Sequence, residues 1–225
     1  GVLQRASFLS TDLDYAGDGG GADIVVPYFQ PIPQLPQTWS RGAATLLFFA
    51  GADAPHKGLR WRLGEAIKRY TRITGEAGVS LIDYHLFSSS TDNMNNQEYQ
   101  QRMQSAAFCL VVRGDTHSSR RLFGAIANGC VPVIISDVIF LPFERFLDFS
   151  AFSVKFSEEF VVTHAGVTTL IGYLQKLVED GRYASMRSLL PAAAKALLFD
   201  DLQDPQRTRS VVNPVTLALV DAFFA

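Results

Sequence analysis

The chain has 225 residues and a mass of 24.7 kDa, enough for one large domain or for one and a half small ones. Hydrophobic residues make up 48% of the sequence, which supplies a core, and the 19% of charged residues is too low for long disordered arms. A net charge of −2 and a pI of about 6.1 lack the basic excess of a general nucleic-acid binder. No apolar run approaches the roughly 20 residues that span a bilayer.

A short strand and a proline-rich segment lie near the amino terminus. Residues 23–28, with the sequence DIVVPY, read as the strand. Residues 30–37 follow and contain Pro31, Pro33 and Pro36, which favour extended backbone and interrupt helices and ladders. This segment is therefore the best linker candidate in the chain.

Strands and helices alternate from residue 44 onward. Residues 44–50 form a buried strand, residues 79–86 a second strand and residues 97–104 a helix. The helix between the two strands has an apolar face formed by Leu59, Leu63, Ile67 and Tyr70. Its other faces carry the basic residues Arg60, Arg62, Lys68, Arg69 and Arg72. We interpret these faces as solvated, which is commoner than a contact with an anionic partner.

The centre of the chain reads as strand, polar loop, helix and strand. The strands are the apolar runs 108–112 and 131–135. Ser118 and Ser119 offer hydroxyls for the helix N-cap, and Asn128-Gly129 supplies a helix stop. Such a βαβ unit is almost always right-handed, and its two strands are parallel.

This alternation predicts an α/β fold with a Rossmann-like, doubly wound parallel sheet. Residues 152–156 read as a last short strand, and helical patterns run from residue 166 to the end. We divide the chain into a partial amino-terminal segment and linker over residues 1–37, a Rossmann-like domain over residues 38–200, and a carboxy-terminal helix over residues 201–225.

The two cysteines, Cys109 and Cys130, both lie in apolar, strand-like runs. We interpret them as small buried hydrophobic residues rather than as a disulfide or a metal-binding pair. On this interpretation the cysteines do not fix the redox compartment of the protein.

One loop of the predicted sheet is suited to an anion. It lies at the carboxyl end of strand 108–112 and at the amino end of the next helix, where open parallel sheets bind ligands and helices accept anions. The residues that converge there are Arg113, Gly114, Asp115, Ser118, Ser119, Arg120 and Arg121. Arginine presents a fork of donors that suits phosphate, so a diphosphate is the natural ligand. The alternative is an arginine that only caps the loop or pairs with Asp115.

Three acids near this loop, Asp115, Asp137 and Glu144, are candidates for binding ribose or sugar hydroxyls. The four histidines have no metal-ligand spacing; they are His56, His85, His117 and His164. The sequence also lacks a Ser-His-Asp triad, a Walker loop and a zinc motif. We therefore assign no catalytic residue and no metal ligand.

Two long strings resemble the exostosin family of glycosyltransferases. They are FCLVVRGDTHSSRRLFGAIANGCVPVIISD at residues 108–137 and LPFERFLDF at residues 141–149. The similarity extends upstream through DIVVPY and LLFFAG, and it is greatest to the plant-type members that build xylan and xyloglucan. The family also includes the animal heparan sulfate polymerases.

The resemblance implies the carboxy-terminal half of a GT-B glycosyltransferase, whose two Rossmann-like halves bind a nucleoside diphosphate sugar mainly through this half. It implies inverting transfer of the sugar to a polysaccharide or other glycan acceptor. From the residues themselves we expect no protein-bound metal and no nucleic-acid partner. The resemblance also implies a type II membrane protein of the Golgi lumen, anchored through a segment absent from this chain. The sequence is compatible with an oligomer but does not define the oligomeric state.

By residue, the resemblance places Gly114, Asp115, Ser119 and Arg121 on the donor loop and helix of the family, and Asp137, Pro142, Phe143 and Glu144 on the next motif. Together with the loop chemistry, this gives the predicted donor-binding set. Its members are Arg113, Gly114, Asp115, Ser118, Ser119, Arg121, Asp137 and Glu144. The domain over residues 38–200 is then predicted to bind the nucleotide sugar.

The chain departs from the family pattern at Gly124, where members usually have Asp or Glu. Glycine also weakens the helix by roughly 1 kcal/mol relative to alanine. One alternative is thus a non-catalytic module that binds a sugar nucleotide or a glycan, and another is a sugar-nucleotide epimerase. Because the chain opens with Gly1 and contains little of an acceptor-binding half, we expect it to be a fragment of a longer protein.

Overall fold

The computed structural model describes residues 9–10, 24–28, 44–52, 58–74, 81–87, 94–114, 118–199 and 217–218. Seven strands lie in these ranges: β1 (Leu9–Ser10), β2 (Ile24–Val25), β3 (Thr45–Ala52), β4 (Ile82–Phe87), β5 (Ala106–Val112), β6 (Val131–Ile135) and β7 (Val154–Phe156). The longer helices are α1 (Leu59–Thr74), α2 (Asn96–Ser105), α3 (Arg120–Ala127), α5 (His164–Glu179) and α6 (Arg182–Leu197). Two short ones are α4 (Glu158–Val161) and a 3-10 helix (Phe149–Ala151).

Five of the strands form one parallel sheet in the order β4-β3-β5-β6-β7. Strands β1 and β2 pair separately, also in parallel. The predicted alternation of strands and helices from β3 to β6 is confirmed, as is the parallel α/β sheet. The predicted last strand is confirmed as β7, and the predicted helical pattern from residue 166 as α5 and α6.

Neighbouring residues of a strand point to opposite faces of the sheet. Both faces of this sheet are apolar, and helices cover each of them. Phe49 of β3 belongs to the larger core cluster, together with Leu63 of α1. Phe48, the residue before it, belongs to the smaller cluster, together with Met103 of α2. Every residue of β5 and β6 is buried, which explains their continuous apolar sequences.

A disulfide joins Cys109 of β5 to Cys130, directly before β6. The prediction that the two cysteines are unbonded was therefore wrong. Its premise of burial is right, since the two residues are 2% and 0% exposed. The helix between β5 and β6 returns the chain to the neighbouring strand, and the register leaves the two Cα atoms 5.7 Å apart, within disulfide range.

The predicted helix signals on either side of α3 are confirmed. The Ser119 hydroxyl caps its amino end by accepting a hydrogen bond from the backbone N–H of Arg121 at 3.4 Å. Asn128 ends it, and Gly129 follows with a φ of 68°, in the left-handed region that glycine adopts without strain.

Strand order creates a switch point between β3 and β5. The chain leaves β3 through α1 to form β4 on one side, and it then returns through α2 to form β5 on the other side. The connections after β3 and β5 therefore diverge and leave a crevice between the carboxyl ends of these strands. Open parallel sheets bind their ligands at such a point.

Two predicted segments lie mostly outside the described residues. They are the proline-rich linker over residues 30–37 and the carboxy-terminal helix over residues 201–225, of which only the helical residues 217–218 are described. Within the described ranges, Val26 and Tyr28 pack against the larger core cluster of the sheet. No helix in those ranges is both long and apolar enough to cross a bilayer.

Candidate functional site

The guanidinium of Arg121 reaches across the crevice between β3 and β5. Arg121 lies in the first turn of α3, after β5, and its Nε donates a hydrogen bond to the carbonyl oxygen of Ala50 in β3 at 3.1 Å. Its Cζ lies 5.0 Å from the centre of the Phe49 ring, in a cation–π contact. Backbone and aromatic contacts thus place a positive charge at the switch point.

Gly51 provides the space for this arginine. A Cβ built on Gly51 would lie 2.1 Å from one terminal nitrogen of Arg121 and 2.9 Å from its Cζ. Any other residue at this position in β3 would therefore displace the guanidinium. The φ of Gly51 lies outside the left-handed region, so close approach, and not backbone freedom, requires glycine here.

A second arginine crosses the same crevice from the opposite side. Arg60, in the first turn of α1, donates from Nε to the carbonyl of Arg113 at 3.1 Å and from a terminal nitrogen to the carbonyl of Ala52 at 3.2 Å. It thereby bridges the ends of β5 and β3. A Cβ on Gly114 would lie 2.7 Å from its other terminal nitrogen, so this glycine accommodates Arg60 as Gly51 accommodates Arg121.

The two arginines make this end of the sheet electropositive. Neither α1 nor α3 has an acidic residue in its first turn, where the helix dipole favours negative charge. Burial lowers the pKa of Arg121, while electrostatic interactions with Tyr99 and Tyr84 act in the opposite direction. Burial also raises the pKa of the Tyr99 hydroxyl, and Arg121 partly offsets this effect.

No carboxylate of the described residues lies within ion-pair distance of Arg121. A buried charge without a counter-ion is costly, because the protein interior solvates it poorly. A bound anion would remove that cost. The arrangement therefore suits a ligand with two or more negative charges between α1 and α3.

The amino end of α3 completes the anion-binding geometry. Ser119 is 7% exposed and is engaged as the N-cap. The Ser118 hydroxyl lies 2.7 Å from the hydroxyl of Tyr28, a residue 90 positions earlier in the chain. The backbone N–H groups of the first helical turn also point toward this end, as they do in phosphate sites.

Two predicted donor-binding residues are engaged with α4 instead of the crevice. The Nε of Arg113 donates to both carboxylate oxygens of Glu158 at 2.9 Å. One carboxylate oxygen of Asp137 accepts a hydrogen bond from the backbone N–H of Glu158 at 3.2 Å. Ser157 is the N-cap residue of α4, but its side chain makes no capping hydrogen bond. The Asp137 side chain caps this helix instead.

Glu144 is exposed in the turn after β6, and Asp115 lies outside the described residues. Phe143 precedes Glu144 with a φ of 57°, the left-handed conformation that a bulky residue rarely adopts. The Phe143 side chain is 2% exposed, so core packing stabilises this conformation and fixes where Glu144 leaves the turn. The assignment of Glu144 and Asp115 to the donor site remains a prediction.

Gly124 lies on the side of α3 that faces α2. A Cβ on this residue would lie 3.5 Å from the terminal methyl of Met103, in ordinary contact. The carbonyl oxygen of Gly124 accepts a hydrogen bond from the Asn128 side chain at 2.8 Å. The described residues contain no group of three or more His, Cys, Asp or Glu side chains suited to a metal ion.

Sequence reasoning missed Gly51, Arg60 and Tyr28 as residues of this region. Arg60 looked like one of several basic residues on a solvated helix. One signal in the sequence sets the first turn of α1 apart, because basic residues without an acid there oppose the helix dipole, and Arg60 lies in this turn. Gly51, at the end of an apolar strand, carries the weaker signal of close approach by another group.

Comparison with known proteins identifies the family. The family model described as the Exostosin GT47 domain matches residues 4–170. Because this match covers more than half of the 225 residues, the chain belongs to the exostosin GT47 family. The predicted family is thereby confirmed.

Curated relatives are considerably longer than this chain. The probable arabinosyltransferase ARAD1 of Arabidopsis thaliana is 31% identical over 135 residues, which are 59% of this chain and 28% of that protein. Exostosin-2 of Bos taurus is 29% identical over 143 residues, which are 55% of this chain and 20% of that protein. The matched part therefore spans less than a third of either relative.

Among solved structures, part of the chain can be superposed on the pneumococcal O-GlcNAc transferase GtfA, determined in complex with UDP and GlcNAc. Its TM-score is 0.48 and its sequence identity is 14%, over 79% of this chain and 37% of that one.

Proposed function

We propose that this chain is the donor-binding part of an inverting glycosyltransferase, which transfers a sugar from a nucleoside diphosphate sugar to a polysaccharide or other glycan acceptor. It corresponds in this proposal to the carboxy-terminal half of a GT-B enzyme, with residues 38–200 as the nucleotide-sugar domain. Membership of the exostosin GT47 family supports the reaction class. The names of the relatives, an arabinosyltransferase and exostosin-2, support sugar transfer.

The observation that carries the proposal is the pair of arginines across the β3–β5 crevice. Arg121 and Arg60 approach from two helix amino ends and bind backbone carbonyls of the strands between them. Guanidinium groups suit the oxygens of a diphosphate, and both helix dipoles favour its charge. We assign the predicted residues Gly114, Ser118, Ser119 and Arg121 to this site, with Arg60 added.

In the proposed reaction, a hydroxyl oxygen of the acceptor attacks the anomeric carbon of the donor sugar. The bond between that carbon and the β-phosphate oxygen breaks, and the nucleoside diphosphate leaves with the electron pair. Arg60, Arg121 and the N–H groups of α3 stabilise the negative charge that develops on the leaving group. The acceptor proton passes to a base that we do not assign to a residue of this chain.

We place the protein in the lumen of the Golgi, in keeping with the compartment that the exostosin resemblance implies. The disulfide between Cys109 and Cys130 supports an oxidising compartment on the secretory route, since cytosolic proteins rarely contain structural disulfides. The proposed donor needs no metal held by the protein, because the two arginines supply positive charge where other transferases use a cation.

Calorimetry with uridine diphosphate (UDP) and with guanosine diphosphate tests the proposal. The native chain should bind at least one of them, and Arg121→Gln should weaken that binding by about tenfold to hundredfold, the loss expected for one charge-assisted hydrogen bond. Arg69→Gln, on an exposed face of α1, removes a charge far from the crevice and should leave binding unchanged. Unchanged affinity in a folded Arg121→Gln variant would refute the assignment of the site.

A further inference from the structure

Tyr28 connects the amino-terminal segment to the proposed donor site. Its hydroxyl lies 2.7 Å from Oγ of Ser118, just before the N-cap of α3. Its ring packs against Phe123 of α3, with ring centres 6.0 Å apart. Pro27, the residue before it, is buried. The segment ending at Tyr28 therefore reaches the same helix end that provides Arg121.

Either hydroxyl could donate in this hydrogen bond, and the chemistry of the two groups favours one direction. A phenol is a stronger acid than an aliphatic alcohol, so the phenol is the better donor and the serine oxygen the better acceptor. When Tyr28 donates to Ser118, the serine proton must point away from Tyr28. A serine hydroxyl is a rotor, so this contact restricts the directions in which Ser118 can donate.

We infer that Tyr28 is a positioning residue of the donor site, which orients the Ser118 hydroxyl toward the diphosphate at the amino end of α3. This inference rests on the proposed function. It extends the site beyond the βαβ unit, because a residue of the amino-terminal segment sets the geometry of a group on the donor loop. Tyr28 touches neither the sugar nor the phosphates and acts through Ser118.

A double-mutant cycle tests this role. Tyr28→Phe retains the ring against Phe123 and removes only the hydroxyl, so the variant should fold. UDP affinity, measured by calorimetry and by the shift of the thermal midpoint that UDP produces, should fall by about two- to twelvefold, the range for one neutral hydrogen bond. Ser118→Ala should lower it at least as much. Adding Tyr28→Phe to Ser118→Ala should cause no further loss.

A purely structural tyrosine predicts a different result. Tyr28→Phe would then lower the thermal midpoint without UDP but leave UDP affinity unchanged, or its effect would be the same with and without the Ser118 hydroxyl. Either result overturns the inference. Tyr173→Phe on α5 is the matched control, since this tyrosine is 38% exposed and lies on another helix; its UDP affinity should equal that of the native chain.

The cycle also separates this inference from the proposed function. If the native chain binds UDP and Arg121→Gln weakens the binding, the proposed site stands, and the Tyr28 variants decide the inference alone. If native binding is absent with both nucleotides, or if Arg121→Gln has no effect, the proposed site fails and the inference fails with it.

Discussion

Replacing Gly51 with alanine tests whether Arg121 binds the diphosphate or only braces the sheet. The added Cβ would lie 2.1 Å from a terminal nitrogen of Arg121, so this nitrogen must retreat by about 1.3 Å to reach the ordinary contact distance of 3.4 Å. The guanidinium would have to leave the Phe49 ring and lengthen its hydrogen bond to the Ala50 carbonyl. Backbone strain adds nothing, because Gly51 does not have a left-handed φ.

The expected cost follows from the two interactions that displacement of the guanidinium would weaken or remove. A hydrogen bond from a charged donor is worth about 1.5–3 kcal/mol, and a cation–π contact about 0.5–2 kcal/mol. The arginine can recover part of this by turning toward water, so we expect Gly51→Ala to lower the free energy of unfolding by about 1–3 kcal/mol, the usual cost of overpacking. The displaced guanidinium should also weaken UDP binding by about tenfold or more.

Urea unfolding and UDP calorimetry measure the two effects separately. The control is Gly172→Ala on α5, where a Cβ meets nothing within 4 Å and alanine should raise the free energy of unfolding by up to about 1 kcal/mol. If Gly51→Ala lowers stability but binds UDP like the native chain, Arg121 is a structural brace and not a ligand. If neither quantity changes, the close approach of Arg121 to β3 is itself wrong.

Three further substitutions test other parts of the structure. Gly114→Ala should weaken UDP binding less than Gly51→Ala, because its Cβ would lie 2.7 Å from the end of Arg60, a smaller overlap than the 2.1 Å approach to Arg121; calorimetry compares the two. Replacing both Cys109 and Cys130 with alanine should lower the free energy of unfolding by about 3 kcal/mol in urea, as expected for a crosslink between residues 21 apart. Gly124→Ala should raise it by up to about 1 kcal/mol, since helix propensity improves without overlap, and an unchanged or lower value would contradict this reasoning.

The fold was predictable because its signals are local. Strands β5 and β6 are buried on both faces, so each has a continuous apolar sequence that marks it without reference to the rest of the chain. The helix α3 between them has a serine at its start and Asn-Gly at its end, which are equally local signals. The handedness of a parallel crossover then leaves few arrangements open.

The disulfide was not predictable in the same way. Cys109 lies opposite Pro132 in the ladder, and Cys130 comes two residues earlier, so the contact depends on the register between β5 and β6. The spacing of the cysteines along the chain does not determine that register. Apolar surroundings are also the same for a buried thiol and for a buried disulfide, so the local sequence could not separate the two.

The loop chemistry of the sequence predicts an anion site after β5, but it does not predict which arginine lies at the crevice. The structure directs Arg113 toward Glu158 and places Arg121 and Arg60 at the crevice. Arg113 and Arg121 have similar signals in the sequence, and only packing decides which of them meets a carboxylate.

Two glycines explain how the crevice acquires its charge. Gly51 and Gly114 stand at the ends of β3 and β5, and each lacks the atom that would exclude an arginine arriving from a neighbouring helix. The ion pair between Arg113 and Glu158 holds α4 to the end of β5, and it neutralises the carboxylate of Glu158. A carboxylate paired in this way does not compete with an incoming anion for Arg60 or Arg121. At this end of the sheet, a structural ion pair is thus separate from the positive charges that can serve a diphosphate, and the absence of two side chains makes room for those charges.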